Sequence, residues 1–218
     1  MNKIAAGVIK FQTEEFPKRR ELFATLAQGQ SPEALFIGCS DSRVDPNLIT
    51  QTEPGELFIC RNAGNIVPPH TNHTGSMTAS IEFAIGALGI GHVIVCGHSH
   101  CGAMKGATEP EKLHGLPHVR EWLSYVRAAS LTVEEAGAGL SEEERLDMLI
   151  RQNVVLQMRH LETHPYVAAR LNTGKLQIHG WVYDIEHGGV TVYDDASGGF
   201  VPVAEHYREG IASVMDAS

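Results

Sequence analysis

The stretch GSMTASIEFAIGALGIGHVIVCG (75–97) changes its hydrophobic period once, and that change decides the fold. In its first part Met77, Ile81, Ile85 and Leu88 stand four, four and three residues apart, which is one face of a helix. Its last part, HVIVCG (92–97), is a short apolar run without alternation, the mark of a strand covered on both faces. The runs EALFIG (33–38) and GELFIC (55–60) have the same character. Strand, loop, strand, helix, strand with unbroken apolar strands predicts a parallel sheet covered by helices.

The flanking segments extend this reading. TEEFPKRRELFATLAQGQ (13–30) spaces Phe16, Leu22, Phe23 and Leu26 as an amphipathic helix does. SEEERLDMLIRQNVVLQMRHLETH (141–164) opens with Ser141 and Glu144 in the capping-box arrangement and predicts a long helix. KLQIHGWVYDI (175–185) and GVTVYDD (189–195), joined through EHGG (186–189), predict a hairpin near the sheet edge. PHVREWLSYVRAA (117–129) predicts a helix, and EEAGAGL (134–140) a turn. The expectation is an α/β fold: a central, mainly parallel β-sheet of four to five strands flanked by α-helices. A helical arm over about residues 1–30 precedes it, and one domain spans 1–218.

Composition narrows the function classes. With 43% hydrophobic and 20% charged residues the chain has the make-up of an ordinary globular protein. A formal net charge of −9 argues against nucleic acid or an anionic membrane as partner. No run approaches membrane-spanning length, and the first ten residues lack a signal-peptide core, so a cytoplasmic location is expected. Four cysteines without an export signal favour metal-binding, catalytic or buried thiols over a disulfide framework.

Two of the predicted strands end in a cysteine-bearing polar cluster, IGCSDSRVDP (37–46) and CGHSHCG (96–102). Sites in open parallel sheets form outside the carboxyl ends of strands, so the two clusters are expected to meet. Cys39 with His98 and Cys101 would make a Cys₂His zinc site, three protein ligands leaving the open fourth position of a catalytic metal. Cys96 and Cys60 read as packing residues, while Cys96/His98 and His98/His100 are alternative ligand pairs. Asp41 and Arg43 stand two apart and can project to one side of a tight turn. A bidentate guanidinium would keep the carboxylate ionised and orient it as an acceptor beside the metal; the alternative is a solvated surface pair. The remaining histidines read as surface or loop residues. Cys96 and Cys101 lack the Cys-x-x-Cys spacing of a thiol redox pair.

At this level of detail the chain resembles the β-class carbonic anhydrases. The blocks that carry the likeness are CSDSRVDPNLI (39–49), GELFICRNAGNIV (55–67), SIEFAI (80–85) and VIVCGHSHCGAMKG (93–106), with HGWVYDI (179–185) extending it. The resemblance implies an enzyme that binds one Zn²⁺ per chain through Cys39, His98 and Cys101. It would interconvert carbon dioxide and bicarbonate, zinc-bound hydroxide attacking CO₂ under the guidance of an Asp41–Arg43 dyad. It further implies a substrate pocket around Phe58, Ala63 and Phe83, where Ala63 and Phe83 depart from the commoner Val and Tyr. The Gly102 N–H would donate to bicarbonate, and Gln30, in GQSP (29–32), would reach the neighbouring subunit's site as in the plant-type open-site branch. Switchable members carry Trp where this chain has Phe36, so the regulatory bicarbonate pocket is incomplete although Arg61 and Tyr183 are present. Homodimers or larger assemblies are implied, a tetramer foremost, with FQTEEFPKRRELFATL (11–26) packing across a partner. A CS₂ or COS hydrolase on the same fold and a non-catalytic zinc sensor or scaffold are the alternatives, the latter at odds with an intact ligand set and dyad.

Overall fold

The computed structural model describes residues 1–215. Its centre is a sheet of six strands: β1 (Ala34–Cys39), β2 (Leu57–Asn62), β3 (His92–His98), β4 (Gln177–Tyr183), β5 (Val190–Asp194) and β6 (Gly199–Pro202). Their order is β2-β1-β3-β4-β5-β6. The first four run parallel, and β5 and β6 are antiparallel additions. The hairpin arms are β4 and β5, but β6 rather than β5 forms the edge. This strand beyond the expected count is four residues long and ends in Pro202. So short a run shows no period in sequence, and a proline without an amide N–H is tolerated at an edge.

Register fixes where the chemistry gathers. Cys39 at the end of β1 lies opposite Asn62 of β2, and Gly38 lies opposite Cys96 of β3. Because β1 and β3 are neighbours, the two polar clusters emerge side by side at the carboxyl ends. Side chains alternate across β1: Leu35, Ile37 and Cys39 join the main core, while Ala34 and Phe36 join Ile94 and Cys96 on the opposite face. The main core is closed by residues such as Ile81 and Ile85 of the quoted helix, Met104, Val133, and Leu149 and Val154 of the long helix Glu142–Glu162. That helix starts in a complete capping box: Ser141 Oγ accepts from the Glu144 N–H at 3.3 Å, and Glu144 Oε2 accepts from the Ser141 N–H at 2.8 Å. It approaches the sheet at a notch. A Cβ added at Gly97 would stand 2.8 Å from Val154 Cγ2, and one at Gly180 would stand 2.9 Å from Val154 Cγ1.

Two segments differ from expectation. The stretch 134–140 is only partly a turn, because the helix Arg127–Ala136 runs through Glu134 and stops at Gly137. The N-terminal arm is helical over Asn2–Lys10, passes through a wider turn at Phe11–Glu15, and resumes at Phe16–Lys18 and Arg20–Leu26. None of residues 2–10 is buried, whereas Phe11, Phe16 and Phe23 pack on one another further along. No described helix is long and apolar enough to cross a membrane.

The scattered histidines are not all superficial. His164 is buried, with Nε2 3.0 Å from the Pro68 carbonyl. On the opposite face of the sheet, His179 has Nδ1 2.8 Å from the Tyr207 hydroxyl and Nε2 3.2 Å from His92 Nδ1. Burial, then the neighbouring His92 and His206, push His179 down to about 4. The folded chain therefore keeps it neutral where an unfolded chain would protonate it. Stability contributed by this residue is complete above about pH 6.5, falls as pH drops toward about 4, and levels off below. The loss is on the order of 1–3 kcal/mol. Urea unfolding at pH 7 and 4.5 should show a smaller acid penalty in His179→Gln than in the wild type; equal penalties would remove His179 from the account.

Candidate metal centre

Cys39 closes β1, His98 closes β3, and Cys101 caps the helix Gly102–Thr108. All three are buried, at 5%, 1% and 1% exposure, and their donor atoms lie within 4.8 Å of one another. Among the described residues this is the one group of three or more His, Cys, Asp or Glu residues that converges so. His100, in the left-handed backbone region at φ 54°, turns the chain between His98 and Cys101. His98 Nδ1 is 2.9 Å from the Ser99 carbonyl, which places the ring proton on that nitrogen. Its Nε2 lone pair is then bare, and this atom is buried without any hydrogen-bond partner. An orphaned imidazole nitrogen between two thiols is the donor set of a borderline-soft divalent cation, so these residues fit zinc.

The thiols are unequal. The adjacent Cys101 thiol holds Cys39 well below the usual cysteine range against the opposing effect of burial, and the Gly64 N–H, 3.3 Å from Cys39 Sγ, helps. The same contact and burial push Cys101 up, opposed by the backbone N–H groups of Met104 and Ala103. A bound dication would favour the thiolate form of both sulfurs. Cys96 is a different kind of thiol: complete burial pushes it up to about 12. Burial likewise raises Cys60. Neither belongs to the converging group.

Beside the trio, Arg43 donates from Nε to Asp41 Oδ1 at 2.9 Å and from Nη2 to Asp41 Oδ2 at 2.8 Å. Its backbone N–H also donates to Oδ1 at 3.0 Å, and Nη2 reaches the His100 carbonyl at 3.2 Å. The guanidinium holds the Asp41 carboxyl well below the ordinary carboxylate range, with burial opposing. Asp41 Oδ2 is 3.9 Å from His98 Nε2, so an ionised acceptor faces the trio without joining it. Three of these four bonds lie within the pair and the fourth ties it to the second strand-end segment, while the Arg43 side chain stays 47% exposed. Arg61 braces the same turn, donating from Nε to the Cys39 carbonyl at 2.9 Å and from Nη2 to the Asp41 carbonyl at 2.6 Å. Sequence reasoning connected Arg61 only with a regulatory pocket; a bond spanning 22 residues leaves no local pattern.

The residues assigned to a substrate pocket fall into two places. Ala63 follows Asn62, the register partner of Cys39, and Gly102 follows Cys101, so both border the trio. Phe58 pairs with Leu35, four residues short of that level, roughly 13 Å back along the sheet. Its ring lies 6.1 Å from that of Phe83, which is 47% exposed. Gln30 is exposed ahead of the amino end of β1. Within one chain, Phe58, Phe83 and Gln30 are not brought to the trio.

Comparison with known proteins gives concordant results. The family model described as "Carbonic anhydrase" matches residues 34–190. A carbonic anhydrase of Pseudomonas aeruginosa is 50% identical over 206 residues, 94% of this chain and 93% of its own length. Carbonic anhydrase 1 of Escherichia coli O157:H7 is 45% identical over 208 residues, 95% of this chain and 94% of its own. Among solved structures, the β-carbonic anhydrase CcaA superposes with a TM-score of 0.90 at 45% identity, covering 93% of this chain and 98% of its own. A structure from Sordaria macrospora, from work on two tetrameric β-carbonic anhydrases, superposes at 0.72 with 33% identity over 88% and 92%.

Proposed function

The chain belongs to the β-class carbonic anhydrase family, and from that premise we propose that it hydrates carbon dioxide reversibly to bicarbonate and a proton with one zinc ion per chain. The observation that carries the proposal is the buried, unpartnered His98 Nε2 converging with two thiols beside a fixed Asp–Arg pair. Cys39, His98 and Cys101 would hold the metal. When bound, zinc supplies a Lewis acid that makes water nucleophilic near neutral pH.

The chain's own groups then set the direction of attack. Asp41, kept ionised by Arg43, has no proton to give and can only accept. By accepting a hydrogen bond from the attacking oxygen it would leave a lone pair facing the CO₂ carbon. Arg43 keeps that carboxylate in place, the arrangement of an open site, and Phe36 without an indole N–H supports the same reading. The Gly102 N–H, bordering the trio, would stabilise charge developing on a product oxygen. CO₂ itself needs only an apolar wall. Ala63 can supply part of it, and the exposed Phe83 beside the half-buried Phe58 suits a wall shared between copies. Gln30 would likewise serve a neighbouring copy's site. A homodimer or larger, such as a tetramer, follows from this division, and the exposed apolar residues of the arm support it.

Stopped-flow CO₂ hydration, with zinc analysis and sedimentation of the same preparation, tests the proposal. Expected are one zinc per chain, a species of at least two chains, and activity that rises smoothly with pH without cooperative shut-off by bicarbonate. Hydrolysis of CS₂ or COS with inert CO₂ would turn the assignment to the hydrolase alternative. A zinc-loaded protein inert toward all three substrates would leave only a sensor or scaffold.

A further inference from the structure

The Gly64 amide that donates to Cys39 is gripped from two sides. In the peptide unit 63–64 the N–H points at Cys39 Sγ, 3.3 Å away, while the carbonyl at the other end, Ala63 O, accepts the Trp122 indole N–H at 2.9 Å. The next carbonyl, Gly64 O, accepts from Asn153 Nδ2 at 3.0 Å. Asn153 is locked in turn: Gln157 Nε2 donates to its Oδ1 at 2.8 Å, and Gln157 Oε1 accepts from the Val67 N–H at 2.9 Å. Asn153 and Gln157 are 1% and 0% exposed. Gly64 itself has φ +81°, and a Cβ there would stand 2.8 Å from Met104 Cε. The residue next to the sulfur thus has the left-handed backbone and the close approach that glycine permits.

We propose that Trp122 is a positioning residue for the metal centre, with Asn153 as its counterpart on the next peptide unit. Together they aim the Gly64 N–H at the Cys39 sulfur. The inference rests on the reading of Cys39 as a zinc ligand. A donor on a peptide carbonyl polarises the N–H of the same unit, so the Trp122 bond strengthens the Gly64 donor as well as orienting it. An N–H on a thiolate fixes the direction of its lone pairs and draws charge from the sulfur, and loss of such outer contacts typically lowers metal affinity about 10–100-fold. The indole ring also stacks edge-on with Tyr125, so an aromatic replacement keeps packing and removes the N–H.

The test is Trp122→Phe in the full chain. Zinc affinity is read by chelator competition, and the sulfur-to-metal charge-transfer absorption is read after cobalt substitution. Expected are affinity weakened about tenfold or more, a shifted absorption band, and metal-free thermal unfolding close to wild type, since a merely structural role would move stability and leave the band in place. Affinity within about twofold of wild type with an unmoved band would overturn the inference while leaving the function proposal intact. Wild-type protein that takes up no zinc would instead reject the metal centre itself, and the inference with it. Should Phe at 122 leave the chain unfolded, Asn153→Ser frees the Gly64 carbonyl and is read the same way.

Discussion

Cys101→Ser is expected to yield a folded chain with almost no zinc and CO₂ hydration reduced by about 10³-fold or more. Serine is nearly isosteric with cysteine and favoured as a helix N-cap, and Cys101 occupies the cap of Gly102–Thr108, so the local fold should survive. A neutral hydroxyl, however, is a far poorer ligand than thiolate, and the site loses one of its two negative donors. Metal and activity should therefore disappear together while circular dichroism stays near wild type. Full zinc occupancy in this variant would sink the ligand assignment.

Arg43→Ala should separate metal binding from turnover. Arg43 touches Asp41 and the His100 carbonyl and none of the three donor side chains, so zinc content should remain near one per chain. Turnover should fall about 10²-fold or more, because Asp41 loses the fork that aims it. Arg43→Lys should restore little, since an ammonium cannot span both carboxylate oxygens. Near wild-type turnover in Arg43→Ala would reduce the pair to a structural contact.

The trio and the Asp41–Arg43 pair were legible in sequence for one reason. Each cluster is contiguous, and each follows an apolar strand, so a topology rule brings them together without knowledge of any contact. The same rule could not reveal Arg61, Trp122 or the Gly64 amide. Their partners lie 22, 59 and 25 residues away, and single residues at those separations make no pattern. Strand β6 escaped because four residues ending in proline carry no period. His164 and His179 read as superficial because histidine is common in loops; only the packed structure shows the carbonyl or hydroxyl that accommodates each. The placement of Gln30, Phe58 and Phe83 came from resemblance alone, and a single chain does not carry them to the Cys39–His98–Cys101 trio.

The glycine notch at Gly97 and Gly180 bears on which substitutions the protein can survive. Both Val154 methyl groups occupy the space where side chains would begin, and Val154 is adjacent in sequence to Asn153. A methyl group at Gly97 would crowd Val154, and one at Gly180 would crowd Met158 and Val154, so side chains of the helix Glu142–Glu162 that carries Asn153 must shift. Gly97→Ala and Gly180→Ala alter no reactive group, yet each changes the distance between the scaffold and the reaction centre. In a scan of all single substitutions, these two chemically blank positions would rank among the least tolerant, beside the cysteines. Mutational fragility in this chain therefore follows the closeness of packing behind the site as much as the identity of the residues in it.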